Sequence, residues 1–288
     1  MKAVYKREVR GLFFNMTGYV FIGFILLMAG IYSIALNFNY GYSNFEYVLS
    51  NMSFIFILAI PILTMRIFSE EKHNRTDQLL YYLPVKIPSI VAGKYLAMLT
   101  VCAVPTGLMA FYPLILSQYG TVNFKSAYSA LLGFFFLGAA LIALGMFVSS
   151  LTESQIISCV VSLGSLLLAY LMNSLTGLLP STALGSLFCY VLLFIAAALI
   201  IYFVTKNYLI PAVLSLLGTA CTFLIYFLDA SAMENSFPSL LNHLALFDKF
   251  YNSFIDGMLD LTAIVYYLTI ILVFSFLTVQ IVEKKRWS

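Results

Sequence analysis

Eight long apolar runs, separated by short polar stretches, dominate the chain. They cover Tyr19 to Leu36, Val48 to Met65, Ile90 to Leu116, Ala127 to Ser149, Ile156 to Leu178, Ala183 to Val204, Tyr208 to Leu228 and Leu261 to Val282. About 20 apolar residues cross the hydrocarbon core as a helix, which satisfies its own backbone hydrogen bonds. The pattern therefore predicts an all-α, polytopic transmembrane helical bundle of about eight spans in a single transmembrane domain, residues 1–288. The even count puts both termini on one face.

Between the second and third runs, residues 66–89 form the longest polar interruption on the terminal side. From Arg66 onward the spacing predicts an amphipathic helix. Glu70, Glu71, His73 and Asn74 make its polar face, and Leu79, Leu80 and Leu83 its apolar one. Pro84 ends it, because proline lacks the N–H and biases the preceding residue away from helix. Such a helix has two readings, one lying in the headgroup layer on Arg66, Lys72, Arg75 and Lys86, the other docking against a partner.

Composition fits lipid. Hydrophobic residues make up 62% and charged residues 9% of the chain, where a soluble domain carries roughly a quarter charged; mean hydropathy is +0.98. The basic start, Lys2, Lys6, Arg7 and Arg10, leads into a full-length span without a small-residue cleavage site, unlike a secretory signal. Of fifteen basic residues, only Lys125 and Lys249 fall on the side opposite the termini. The positive-inside rule then puts both termini in the cytoplasm of a cell membrane. The net charge of +3 thus reports topology and gives no indication of nucleic acid.

Ionisable groups inside spans would mark an ion or proton relay. Only Lys94 and Glu153 come near, both at span ends, from where they are expected to reach the interface. The phosphate-cradling G-x-x-x-x-G-K-[ST] loop is missing, since Gly93-Lys94 is preceded by Pro88 at the first glycine's place and followed by Tyr95. No span carries paired carboxylates, a histidine cluster or a nucleophile beside a base, so the expectation is a non-enzyme without its own cofactor or metal. Cys102, Cys159, Cys189 and Cys221 sit in spans without paired spacing and read as buried thiols. His73 and His243 fall on opposite faces and cannot share a site. Asn15, Asn51 and Asn74 match the glycosylation pattern by chance. Tyr19, Tyr112, Tyr119, Tyr128 and Trp287 fit an aromatic belt.

Small residues crowd the fourth and fifth runs: Gly133, Gly138, Ala139, Ala140, Ala143 and Gly145, then Ser154, Ser158, Ser162, Gly164 and Ser165. They permit close helix approach. Packing within one subunit and lining a path between two subunits both remain open. The segment 229–260 spaces Phe247, Phe250, Phe254 and Met258 at helical intervals, consistent with short helices on the outer face or with a packed loop.

The polar interruption also resembles a known family. Arg66-Ile67-Phe68-Ser69-Glu70-Glu71-Lys72, then Arg75-Thr76-Asp77-Gln78-Leu79-Leu80, Leu83-Pro84-Val85 and Gly93-Lys94-Tyr95-Leu96 look like the signature of type 2 ABC exporter permeases. Residues 240–287 resemble the gliding-motility-type branch, with Phe247-Asp248, Phe250, Ser253-Phe254, Gly257, Asp260 and Tyr266-Tyr267 before the last span, and Glu283 to Trp287 after it. Glu8 to Phe14 followed by Gly18-Tyr19 is like the amphipathic helix, residues 1–18 here, that leads into the first span of those permeases. Six spans are usual in the family, so residues 183–228 read as an extra hairpin. Glycine is common there at the place of Arg75.

The resemblance implies a permease subunit of an ATP-driven exporter. ATP and Mg would be held by a partner ATPase subunit, and a second permease copy or a related permease would complete the assembly in membrane lipid. Residues 66–89 would be the coupling helix region: Glu70 and Glu71 for polar contact with the ATPase, Leu79, Leu80 and Leu83 for the apolar docking face, and Arg66 for anchoring at the surface. Arg75, Thr76 and Pro84 complete the segment. A membrane anchor linked to an ATPase, transmitting force or a signal and transporting nothing, is the alternative from another class.

Overall fold

The computed structural model describes residues 1–41, 43–75, 86–205, 209–228, 230–255 and 259–287. The regular structure among the described residues is all helix, without a strand. Six helical stretches are long and apolar enough to cross a membrane: Thr17–Asn39, Phe45–His73, Ile87–Leu116, Phe124–Leu151, Gln155–Thr176 and Leu261–Lys284. The chain is accordingly a multi-pass helical protein of membrane type. In the expected hairpin the apolar described stretches Ala183–Ala198 and Ser215–Leu228 are shorter.

Contacts divide the chain into two compact units, Met1–Leu168 with Leu246–Ser288, and Ala169–Ala245. The first begins with α1 (Lys2–Phe14), an amphipathic helix with half-buried apolar residues. Met16, at φ +57°, turns the chain into α2 (Thr17–Ser33), which continues as a π-helical stretch, Ile34–Asn39. The second stretch is broken into α3 (Phe45–Met52), a 3-10 turn at Ser53–Ile55, α4 (Phe56–Thr64) and α5 (Ser69–His73). Glu46 lies 95% buried in the first turn of α3, where the helix N-terminus favours a carboxylate.

Then follow α6 (Ile87–Met109), α7 (Tyr112–Leu116) and α8 (Phe124–Leu151). The centre of the unit is α8, most of whose residues are buried. It can be central because its small residues let neighbours close. A Cβ on Gly145 would stand 2.5 Å from Thr64 Oγ1 of α4, and one on Gly133 would collide with the Phe254 ring. Phe56 stacks on Phe134 at 4.3 Å between ring centroids. The glycines of the fourth span thus pack within the subunit. In α9 (Gln155–Thr176), Ser158 and Ser162 are buried while Ile156, Ile157 and Val160 are exposed, the face a lipid-embedded helix presents.

The phenylalanines before the last span behave as their spacing predicts. Phe247 and Phe250 of α13 (Leu246–Phe250) and Phe254 of the following π-helical turn are buried; Met258 lies outside the described residues. The last helix, α14 (Leu261–Trp287), is started by Asp260, whose Oδ1 accepts the Thr262 N–H at 2.9 Å while Oδ2 accepts the Ser253 hydroxyl at 3.3 Å. These bonds, Thr262's first, hold the Asp260 carboxyl below its usual range. Because the folded pKa is depressed, the stabilisation is present above the unfolded value near 3.8 and is lost as pH falls through the lower folded value. Asp260→Asn is expected to flatten that acid limb of thermal unfolding measured in detergent.

The second unit is built on an antiparallel pair, α10 (Ala183–Thr205) and α11 (Leu209–Leu228), with α12 (Ser236–Leu244) beside it. Phe237 of α12 meets the Tyr190 ring of α10 edge-on at 5.1 Å. Thr176 Oγ1 donates to Asn242 Oδ1 at 3.0 Å. Of the cysteines, all free, only Cys102 is fully buried as expected; Cys221 is exposed.

Candidate functional site

Residues 66–75 and their surroundings bring together charged residues from distant parts of the sequence. The expected helix from Arg66 to Leu83 does not form continuously. Residues 65–68 are turns, α5 spans five residues only, and Arg75 adopts φ +54°. A left-handed residue cannot continue a right-handed helix, and glycine adopts that conformation without cost. Thr76, Leu79, Leu80, Leu83 and Pro84, the remainder of the expected coupling segment, lie outside the described residues.

What fixes α5 is an ion network around one buried lysine. Lys94, on the second turn of α6, was expected to reach the interface; its side chain is 0% exposed. The position is buried because α1 lies directly on α6: a Cβ on Gly93 would stand 3.2 Å from the Val4 side chain and 3.3 Å from the Met1 carbonyl oxygen. An isolated buried ammonium would cost several kcal/mol, and this one is surrounded by acceptors. Lys94 Nζ lies 2.9 Å from Glu71 Oε2 and 3.3 Å from Glu8 Oε1, donates to the Ile67 carbonyl at 2.8 Å, and sits 5.0 Å from the Phe68 ring centre. Arg7 bridges the same two carboxylates, at 2.6 Å from each. Two cations and two anions leave the cluster neutral.

Burial disfavours the Arg7 charge, but the bonds and charges of Glu8 and Glu71 outweigh this and raise its pKa. Arg7 is therefore a permanent cation. Tyr95, the next residue of the Gly93-Lys94-Tyr95 run, donates its hydroxyl to the Ala139 carbonyl of α8 at 3.1 Å. Each member of that run thus joins α6 to a different neighbour: α1, α5 and α8.

The other side of α5 is held by the C-terminal end of α8. Ser149 Oγ accepts the N–H groups of Phe68 and Ser69 at 3.3 and 3.4 Å and donates to the Met65 carbonyl at 3.2 Å. These are the donors that a helix start leaves unpaired. Ser69 Oγ also donates to the Met65 carbonyl, and the buried Lys72 ammonium donates to the Ser150 carbonyl, a cation at the negative end of α8. Arg66 is exposed and Glu70 half-buried; with Asn15, Glu8, Glu71 and Lys94 they line a pocket of about 110 Å³.

The geometry divides the two glutamates that the sequence treats alike. Both line the pocket, but of the two it is Glu71 that pairs with Lys94 and Arg7. Arg7, Glu8, Lys72, Lys94 and Ser149 were not among the expected site residues. Their signal was faint: Glu8, Lys72 and Lys94 stood in segments that the resemblance covered, and nothing in the sequence marked Arg7 or Ser149. Among the described residues, no three His, Cys, Asp or Glu side chains are grouped to hold a metal ion. Compared with family models, curated proteins and solved structures, the chain matches none.

Proposed function

We propose that the chain is the membrane-spanning permease subunit of an ATP-driven exporter of the type 2 ABC class, with residues 66–89 as the segment through which a separate ATPase subunit drives it. The resemblance carried by Arg66 to Leu96 suggests the class. One observation supports the mechanical role: residues 66–75 are tied by ion pairs to α1 and α6 and by hydrogen bonds to α8. A displacement of this segment would therefore be delivered to several helices as a rigid-body movement. In this reading the hairpin 183–228 adds two spans to a six-span core, both termini are cytoplasmic, and two permease chains assemble with two ATPase subunits. Glu70, Leu79, Leu80 and Leu83 face the ATPase, Arg66 anchors the segment, and Glu71 transmits.

Purification of the tagged chain in mild detergent is expected to recover a soluble ATPase in near-equal amount. Glu70→Lys combined with Leu79→Asp and Leu80→Asp should abolish that recovery without lowering the chain's unfolding temperature. Recovery of the chain alone in several detergents would overturn the proposal. Glu71 is unsuited to this test, because reversing it would leave Lys94 buried beside a second cation.

A further inference from the structure

We propose that the groove between α1 and α6 is a binding site for one anionic phospholipid of the leaflet in which α1 lies. On α6, Leu96, Leu99 and Ala103 follow at helical spacing and form one wall; Phe135 of α8 adds to the lining, and Lys2 and Tyr5 of α1 stand opposite. The space is about 380 Å³, within the roughly 300–1,000 Å³ of small-ligand sites.

Its interior suits an acyl chain. The polar groups lining it are already engaged: Tyr5 Oη and Thr100 Oγ1 are 3.0 Å apart, and Thr100 Oγ1 also donates to the Leu96 carbonyl at 2.8 Å. A polar occupant would find no partner there, whereas an apolar chain forfeits none.

Its rim suits a phosphate. Lys2 lines the mouth, and Lys6 and Arg10 continue from it at intervals of four along α1, roughly 6 Å apart per interval. All three are exposed, and none takes part in an ion pair among the described residues. The acid of α1, Glu8, is turned away into the Lys94 cluster. The ridge beside the groove is thus cationic, complementary to an anionic headgroup and indifferent to a zwitterionic one. This separates a site from the general lipid contact that every exposed span makes. The inference is independent of the proposed transport function.

The test is native mass spectrometry of the full chain released from nanodiscs of equal parts phosphatidylglycerol and phosphatidylcholine with identical acyl chains. One retained phosphatidylglycerol per chain is expected, favoured about fivefold for each lysine that contributes. Lys2→Gln with Lys6→Gln should lower the preference about 25-fold, leaving what Arg10 sustains. Ala103→Trp, which fills the groove, should remove the retained lipid altogether. Equal retention of both lipids by the unaltered chain, or a preference unchanged in the lysine variant, would overturn the proposal. The lysine positions are exposed, so their variant decides the matter even if Ala103→Trp does not fold.

Discussion

Lys94→Met is expected to destabilise the first unit by roughly 3–5 kcal/mol, the scale on which removing one partner of a buried ion pair acts. The loss would not come from the methylenes, which methionine replaces. It would come from Glu8 and Glu71, left facing each other across the half-exposed Arg7, and from the Ile67 carbonyl, which would lose its donor. Neutralising the acids together with the lysine, in Lys94→Met/Glu8→Gln/Glu71→Gln, should recover much of the stability, because the cost lies in unbalanced charge. Thermal unfolding in detergent, with limited proteolysis after residue 75 as a local reporter, separates the two variants. Equal loss in the single and triple variants would mean that the cluster contributes shape alone.

Gly145→Val is expected to have the second largest effect, through the distance between two spans. Its first added carbon would stand 2.5 Å from Thr64 Oγ1 and 3.1 Å from Thr64 Cβ. Overpacking costs about 1–3 kcal/mol where side chains can yield. Thr64 cannot yield easily, as its hydroxyl donates to the Ile60 carbonyl at 3.0 Å and it is fully buried. Within lipid there is little hydrophobic drive to hold the helices together once contact is lost. The strain would fall one turn from Ser149 and Met65, so the seat of α5 should loosen as well. Thr64→Ala paired with Gly145→Ala should restore the unfolding temperature of the parent more closely than Gly145→Ala alone; no difference between them would show that α4 and α8 adjust independently.

The helical architecture was legible because each apolar run has the length and composition that the hydrocarbon core requires. The ends were less so: α6 begins at Ile87, three residues before the apolar run does, since Pro88 is welcome in a first turn. Residues 66–83 read as one amphipathic helix because periodicity records which face is polar but carries no information on the φ of Arg75. Glu70 and Glu71 looked equivalent because adjacent residues on a short helix differ only in what stands opposite them.

By itself, then, the sequence determined the class of environment, the helical character of the apolar runs and the segment worth attention, all of which depend on local composition and spacing. The tertiary structure decided that Lys94 is buried, that Glu8 and Glu71 balance it, and that Gly93 and Gly145 are contact points, because these depend on residues far apart in sequence. A lysine near a span end is cheap when it reaches water and costly when a helix covers it. Only the placement of α1 across Gly93 tells the two apart.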